Sequence, residues 1–209
     1  MKILVLGATG PTGRHLLRRA LADGVDVTVL VRRPEAVAEL ADRLDVVTGD
    51  ATSRDDVAAA AEGVDVIVSA LGRGTSMRSE GLFTRAARAV VDGARDAGVR
   101  RLVWLSSFGV GATYRDASLL QKAFYRTFLR DLYADKAASE RIIRGSALDW
   151  SLVYPTALTH SPGDGAFVVG ERLPMRGNPT ISRDDVAAFL LQEAQEATWV
   201  RRDAVISGR

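Results

Sequence analysis

Three glycines near the start of the chain have the spacing of a phosphate-binding turn. Gly7, Gly10 and Gly13 follow an apolar run at residues 3–6 and precede a helical pattern of apolar residues. A strand, a glycine turn and a helix in this order can hold a pyrophosphate, because backbone N–H groups and the helix N-terminus meet the anion. The spacing is G-x-x-G-x-x-G rather than G-x-G-x-x-G, and a purely structural glycine turn is the alternative. The position directly after the first strand favours dinucleotide binding.

A second signal lies at the end of the next apolar run, at residues 25–31. Sites that prefer NAD usually place Asp or Glu there to bind the ribose 2′-hydroxyl, whereas this chain has Arg32, followed by Arg33. A guanidinium group matches a 2′-phosphate in charge and geometry, and a carboxylate would repel it. The alternative is an arginine on a solvated loop. The sequence therefore favours NADP(H) as the cofactor.

The elements that must position these residues alternate between apolar runs and amphipathic patterns along the chain. Such alternation is typical of a doubly wound parallel sheet, so we predict an α/β Rossmann-type fold. We expect a single NAD(P)-binding domain over residues 1–209, with a small irregular lid or hairpin at residues 156–180, where many of the Gly and Pro residues lie. The predicted strands are residues 3–6, 25–31, 45–48, 64–70, 102–105 and 150–154, with short ones at 166–169 and 204–206. The predicted helices follow the glycine turn and cover residues 34–40, 54–61, 81–98, part of 118–145 and 182–197.

Apolar residues at helical spacing precede the region of Lys136. Phe124, Phe128 and Leu132 are at positions i, i+4 and i+8, which predicts one face of a helix. This face would form part of the core or the wall of an active site beneath the lid.

Composition excludes several classes of function. The chain has 47% hydrophobic and 26% charged residues, a net charge of +2 and no cysteine. The basic residues are spread out, so no nucleic-acid partner is expected. No apolar stretch is long enough to predict a membrane span, and two isolated histidines do not predict a metal site. The lack of cysteine fits a reducing compartment, and we expect a cytoplasmic protein.

Several short motifs occur in an order that resembles a known family. They are GATGPTG at 7–13, VRRP at 31–34, GDAT at 49–52, SALG at 69–72, WLSS at 104–107, ADKAASE at 134–140, DWSLVYP at 149–155 and ISRDDVA at 181–187. Together they resemble the atypical short-chain dehydrogenases with an NAD(P)H-binding domain. That group includes biliverdin reductase B-like flavin reductases and NmrA-like sensors.

The resemblance implies roles for individual residues. The pyrophosphate site would comprise Gly7, Thr9, Gly10, Pro11, Thr12 and Gly13. Arg32 and Arg33 would hold the 2′-phosphate, and the adenosine would be surrounded by Asp50, Ala51, Leu71 and Gly72. Ser107 matches the active-site serine and Lys136 the lysine that binds the nicotinamide ribose, while the stretch from Pro155 to Leu158 would border the nicotinamide.

Two positions depart from the family pattern. The main branch of short-chain dehydrogenases carries a catalytic tyrosine four residues before the lysine, where this chain has Leu132. Tyr133, at three residues before it, is the nearest candidate for a general acid. The biliverdin reductase B-like proteins carry a histidine where this chain has Ala157, and His160 is the nearest histidine.

These features predict an NADPH-dependent oxidoreductase that transfers hydride to a small conjugated acceptor, such as a flavin or a quinone. The catalytic candidates are Ser107, Lys136 and Tyr133. The alternative is a non-catalytic NADP(H)-binding redox sensor of the NmrA-like type, which the missing tyrosine favours. Sugar epimerases and dehydratases are a third possibility, although they need a larger C-terminal substrate domain than residues 156–209 can supply. The expected partner is a small-molecule substrate.

Overall fold

The computed structural model describes residues 1–73, 80–116, 127, 129–175 and 177–209. The predicted helical wall residues Phe124 and Phe128 lie outside this range, and of that set only Leu132 is described. None of the helices in the described ranges has the length and hydrophobicity of a membrane-spanning segment.

Strands and helices alternate through most of the described chain. The strands are β1 (Lys2–Leu6), β2 (Asp26–Val31), β3 (Asp45–Thr48), β4 (Val66–Ser69), β5 (Arg101–Leu105), β6 (Asp149–Pro155), β7 (Ala157–Thr159), β8 (Phe167–Gly170), β9 (Thr180–Ser182) and β10 (Arg202–Gly208). The α-helices are α1 (Pro11–Ala22), α2 (Arg54–Ala60), α3 (Leu82–Asp96), α4 (Arg130–Arg144) and α5 (Arg183–Glu196). In the same described part of the chain, 3₁₀ helices cover Pro34–Arg43 and Gly111–Asp116.

Within the described ranges, the main sheet has eight strands in the order β3-β2-β1-β4-β5-β6-β10-β8. All neighbouring pairs are parallel except β10 and β8, which are antiparallel. The predicted α/β Rossmann-type fold is therefore confirmed, with an antiparallel strand added at the C-terminal edge.

The segment at 156–180 is more regular than the predicted irregular lid. β7 and β9 form a separate two-stranded parallel sheet, and β8 joins the main sheet. The side chains of β8 alternate, because Phe167 and Val169 pack against the core while Val168 is exposed. This period of two is what an edge strand with one covered face requires.

Helices cover the main sheet on both faces, and the strands are accordingly apolar on both faces. Ile3 and Val5 in β1 belong to the core beneath α1 and α5, whereas Leu4 and Leu6 belong to the core beneath α2, α3 and α4. This double covering explains why strands such as β1 and β4 read as continuous apolar runs. Loops at the carboxyl ends of the parallel strands are left to form a site.

Candidate active site

Most of the predicted site residues lie just beyond the carboxyl ends of adjacent parallel strands. The sheet register places Leu6, Leu30 and Ser69 level with one another, with Trp104 and Leu152 level on the next two strands. The residues just after these positions therefore lie at one edge of the sheet. They are the glycine turn, Arg32, Leu71, Ser107 and Pro155. In Rossmann folds a dinucleotide binds across this edge.

The fold itself requires two of the three glycines in the turn. Gly7 has φ +79°, and a Cβ there would lie 2.6 Å from the carbonyl oxygen of Ala70. A Cβ on Gly13 would lie 2.1 Å from the carbonyl oxygen of Gly7, so helix α1 can pack this closely only without a side chain. A Cβ on Gly10 would lie 3.3 Å from the same oxygen, and Gly10 has an ordinary φ of −74°. The fold alone therefore does not demand glycine at position 10.

Helix α1 begins at the turn without a capping side chain, because its N-cap residue is Gly10. Helices α2 and α5 begin instead with Ser53 and Ser182, whose hydroxyls accept hydrogen bonds from the backbone. The first N–H groups of α1 are thus left to an external acceptor, and Pro11 removes one donor that would have no partner. An uncapped N-terminus that begins at a residue without a side chain, Gly10, fits a bound pyrophosphate.

The predicted 2′-phosphate residues Arg32 and Arg33 are both exposed directly after β2. Arg32 lies close enough to Asp50 to affect its carboxyl group electrostatically. The pKa of Asp50 is lowered mainly by the backbone N–H of Thr52, with the Thr52 hydroxyl and the charge of Arg32 contributing. Both Thr52 donors bond the same carboxylate oxygen, at 2.8 and 2.9 Å. Asp50 therefore fixes its own turn next to Arg32.

Lys136 and Ser107 meet at the other end of the edge. The Lys136 Nζ donates to Ser107 Oγ at 2.7 Å and to the Ser106 carbonyl oxygen at 3.3 Å, and it lies 4.9 Å from the centre of the Phe83 ring. Burial lowers the pKa of Lys136 to about 8, against the opposing charges of Glu140 and Asp135. An ammonium group with this pKa can give up a proton near neutral pH.

Helix α4, which carries Lys136, is hydrogen-bonded to helix α3 through the adjacent residue, Asp135. Each carboxylate oxygen of Asp135 accepts a backbone N–H of helix α3, from Phe83 and Thr84, at 3.0 Å. Asp135 thus supplies acceptors for the N-terminus of α3, whose N-cap is Gly81. This contact sets the position of α4, and therefore of Lys136, relative to α3.

The remaining predicted residues lie in different surroundings. The Tyr133 hydroxyl donates to the Phe108 carbonyl oxygen at 3.1 Å, and Leu132 packs against the core. Pro155 is buried in β6, whereas Leu158 and His160 are exposed. The Tyr133 hydroxyl is therefore directed at the backbone of the segment that follows Ser107.

Comparison with known proteins identifies the family. A family model described as NAD(P)H-binding matches residues 7–197. The chain belongs to this NAD(P)H-binding family. It is an NAD(P)-dependent oxidoreductase of the atypical short-chain dehydrogenase type.

Relatives of this NAD(P)H-binding protein carry several different names. It is 27% identical over 209 residues to the uncharacterized sugar epimerase YhfK of Bacillus subtilis, covering 97% of this chain and 92% of that protein. It is 31% identical over 207 residues to the ceramide reductase of Caulobacter vibrioides, covering 95% of this chain but 59% of the reductase. The solved structure of ChuY, an anaerobilin reductase of Escherichia coli, superposes with a TM-score of 0.82 at 26% identity, covering 99% of this chain and 96% of that chain.

The sequence interpretation assigned no role to several polar residues of this NAD(P)H-binding protein. Ser106, Asp135, Glu140 and Tyr154 are all buried around Lys136 or behind it. A signal existed for Glu140, because it lies four residues after Lys136 and so on the same face of the helix. No local signal existed for Asp135, because the helix that it caps begins about fifty residues earlier in the chain.

Proposed function

We propose that the protein uses NADPH to reduce a small conjugated acceptor, such as a flavin or a quinone. The observation that carries this proposal is the 2.7 Å hydrogen bond from Lys136 Nζ to Ser107 Oγ, in a chain with leucine at the position of the usual tyrosine. When bound, the reduced nicotinamide supplies the hydride. The chain's own residues must then hold the cofactor, orient the acceptor and provide one proton.

Ser107 and Lys136 can provide that proton together. Since Lys136 donates to Ser107 Oγ, the serine hydroxyl is free to donate towards an acceptor. A proton that leaves Ser107 can be replaced from Lys136 Nζ, and neutral Lys136 then takes up a proton from solvent. This exchange needs Lys136 in its charged form, so turnover is expected to fall as the pH rises through about 8.

A conjugated acceptor suits this arrangement better than a simple carbonyl. Reduction of a ketone or an aldehyde concentrates negative charge on one oxygen, which requires a well-placed acid or oxyanion donor. A flavin or a quinone spreads the incoming charge over a ring system. The tyrosine that serves carbonyl substrates is replaced by Leu132, and Tyr133 donates its hydroxyl to the backbone at Phe108.

The preference for NADPH over NADH rests on Arg32 and Arg33. Both side chains are exposed after β2, where a 2′-phosphate would lie, and the carboxylate of nearby Asp50 is held by Thr52. Two guanidinium groups can make charge-assisted hydrogen bonds to that phosphate. The names of ChuY and the Caulobacter relative, an anaerobilin reductase and a ceramide reductase, support reduction as the direction of the reaction.

Steady-state oxidation of NADPH tests the proposal, with FMN, riboflavin and a soluble quinone set against a simple ketone and an aldehyde. We expect turnover with the conjugated acceptors. The Ser107→Ala variant should slow it by less than about a hundredfold, the lower end of general acid catalysis. The matched control is Tyr133→Phe, which removes another hydroxyl near the site and should change turnover little.

Two results would contradict the proposal. Carbonyl reduction that disappears in Tyr133→Phe would show that the displaced tyrosine acts as the acid. Tight NADPH binding without oxidation by any acceptor would favour the redox-sensor alternative.

A further inference from the structure

Behind Lys136 lies a second buried ionisable group, Glu140, which is only 3% exposed. Its carboxylate accepts a hydrogen bond from Ser106 Oγ at 2.5 Å and another from the Tyr154 hydroxyl. Burial and the charge of Asp203 raise the pKa of Glu140, while Ser106, Tyr154 and the charge of Arg144 oppose that rise. The two hydroxyl donors and the nearby arginine favour the ionised form that burial disfavours.

A cavity lies next to Glu140 and the neighbouring Arg144. Arg144 donates to the Tyr154 hydroxyl at 3.1 Å and to the two carboxylate oxygens of Asp203 at 2.6 and 2.7 Å. Glu140, Arg144 and Asp203 also line a cavity of about 360 Å³ beside the 3₁₀ helix at Gly111–Asp116. A space of this size can admit several water molecules beside Glu140.

The groups around the two buried charges come from several elements. Those facing Lys136 are Glu140 and Asp135 on its own helix, Ser106 and Ser107 after β5, and the Phe83 ring on α3. Those facing Glu140 are Ser106 after β5, Tyr154 in β6, Arg144 on α4 and Asp203 in β10. Both carboxylate oxygens of Asp135 accept hydrogen bonds from the N-terminus of α3. Of the two acids near Lys136, Glu140 is therefore the one that does not cap a helix.

Ser106 joins the two charges. Its carbonyl oxygen accepts from Lys136 Nζ, and its hydroxyl donates to Glu140. The next residue is Ser107, which lies at the proposed reaction site. Ser106 is therefore hydrogen-bonded through its side chain to the Glu140 carboxylate and through its backbone to the Lys136 ammonium group.

We propose that Glu140 is a positioning residue for the reduction: its carboxylate compensates the buried charge of Lys136 and, through Ser106, fixes the segment that carries Ser107. This inference rests on the proposed function, because it assigns Glu140 the task of keeping Lys136 charged for proton donation. Glu140 itself touches neither acceptor nor cofactor in this account.

The pKa of Lys136 tests this inference directly, without any ligand. The chain has only three lysines, Lys2, Lys122 and Lys136, so labelling lysine Cε with carbon-13 gives three NMR signals. The Lys136→Met variant identifies the signal of Lys136. In Glu140→Gln, which retains an acceptor for Ser106, we expect the pKa of Lys136 to fall by about one unit, since a nearby opposite charge is lost.

Two further variants keep the test decisive. Ser106→Ala removes a donor to Glu140, so the carboxylate is less ionised at a given pH and the pKa of Lys136 should fall by a smaller amount. This variant carries the test if circular dichroism shows that Glu140→Gln does not fold. The matched control is Asp131→Asn, which neutralises an exposed acid on the same helix and should leave the Lys136 signal unchanged. An unchanged pKa of Lys136 in both Glu140→Gln and Ser106→Ala would overturn the inference.

The pH profile of turnover separates this inference from the proposed function. In wild type, kcat/KM for flavin reduction should fall above about pH 8, and in Glu140→Gln the fall should occur at lower pH by the shift measured for Lys136. If the pKa of Lys136 moves but the pH profile does not, Glu140 sets the charge of Lys136 and the proposed proton donation by Lys136 is wrong.

Discussion

The two ends of the candidate site lie at the same sheet edge but consist of different chemical groups. The cofactor end comprises the glycine turn, Arg32 and Arg33, and the reduction end comprises Ser107, Lys136 and Glu140 behind it. At the cofactor end, the donors are backbone N–H groups at the uncapped start of α1, and the flanking charges of Arg32 and Arg33 are exposed. At the reduction end, the charges themselves are buried, with Lys136 at 8% and Glu140 at 3% exposure. On the proposed function, the first end would bind through backbone geometry, whereas the second holds charge in a low-dielectric interior.

This difference has consequences for how each end responds to change. Backbone donors do not titrate, so the glycine turn is sensitive to shape and insensitive to pH. Buried side-chain charges depend on every neighbour that compensates them, so the reduction end is sensitive to pH and to packing. Substitutions at the two ends should therefore fail in different ways.

The largest expected effects distinguish two glycines within the cofactor end. Gly13→Ala places a Cβ against the carbonyl oxygen of Gly7, and we expect a loss of about 3 kcal/mol or more in the free energy of unfolding. Gly10→Val should instead fold, because position 10 has an ordinary φ and its Cβ contact of 3.3 Å with the Gly7 carbonyl oxygen requires only a small shift, yet lose measurable cofactor binding. Urea unfolding and calorimetric titration with NADPH measure the two losses.

Their outcomes can contradict this account separately. If Gly10→Val retained its affinity for NADPH, the turn would not be the phosphate site. If Gly13→Ala were as stable as wild type, the close packing of α1 on the turn would not constrain the fold.

The next effect concerns the exposed charges of the cofactor end. Arg32→Ala should weaken NADPH binding by about tenfold to a hundredfold, since charge-assisted contacts to the 2′-phosphate are lost. Binding of NADH, which lacks that phosphate, should change little and provides the internal control. Equal affinity of wild type for the two cofactors would refute the assignment of Arg32.

A smaller effect on the free energy of unfolding is expected at Asp135, which connects the helix of Lys136 to α3. Asp135→Ala removes the acceptors for two N–H groups of α3 and should cost about 1–2 kcal/mol in the free energy of unfolding. Asp131→Ala, at an exposed position on the same helix, should change it by less than about 0.5 kcal/mol. Equal stability of the two variants in urea would mean that Asp135 does not fasten α4.

The sequence carried more information about the cofactor end than about the reduction end, because the first depends on residues close together in the chain and the second on residues far apart. The glycine turn joins β1 to α1 within one βα unit, so its spacing and the flanking apolar run indicated its place, although the close contact of Gly7 is with Ala70 after β4. Ser106, Glu140 and Tyr154 come together only when β5, α4 and β6 have packed. The spacing of Glu140 from Lys136 places both on one helix face, but no local pattern connects them to Ser106 and Tyr154. The antiparallel β8 was missed as a sheet member because a four-residue strand reveals neither its partner nor its direction.

The most direct test of the central claim is a single-turnover comparison of two acceptors in wild type. The protein is mixed rapidly with NADPH and either FMN or a simple aldehyde, and cofactor oxidation is followed with NADPH and with NADPH deuterated at the transferred position. We expect FMN to be reduced at least about a hundredfold faster than the aldehyde, because Leu132 stands where short-chain dehydrogenases carry the tyrosine acid for carbonyl reduction, and we expect the deuterated cofactor to slow that step. Aldehyde reduction at a rate equal to or above that of FMN would contradict the account.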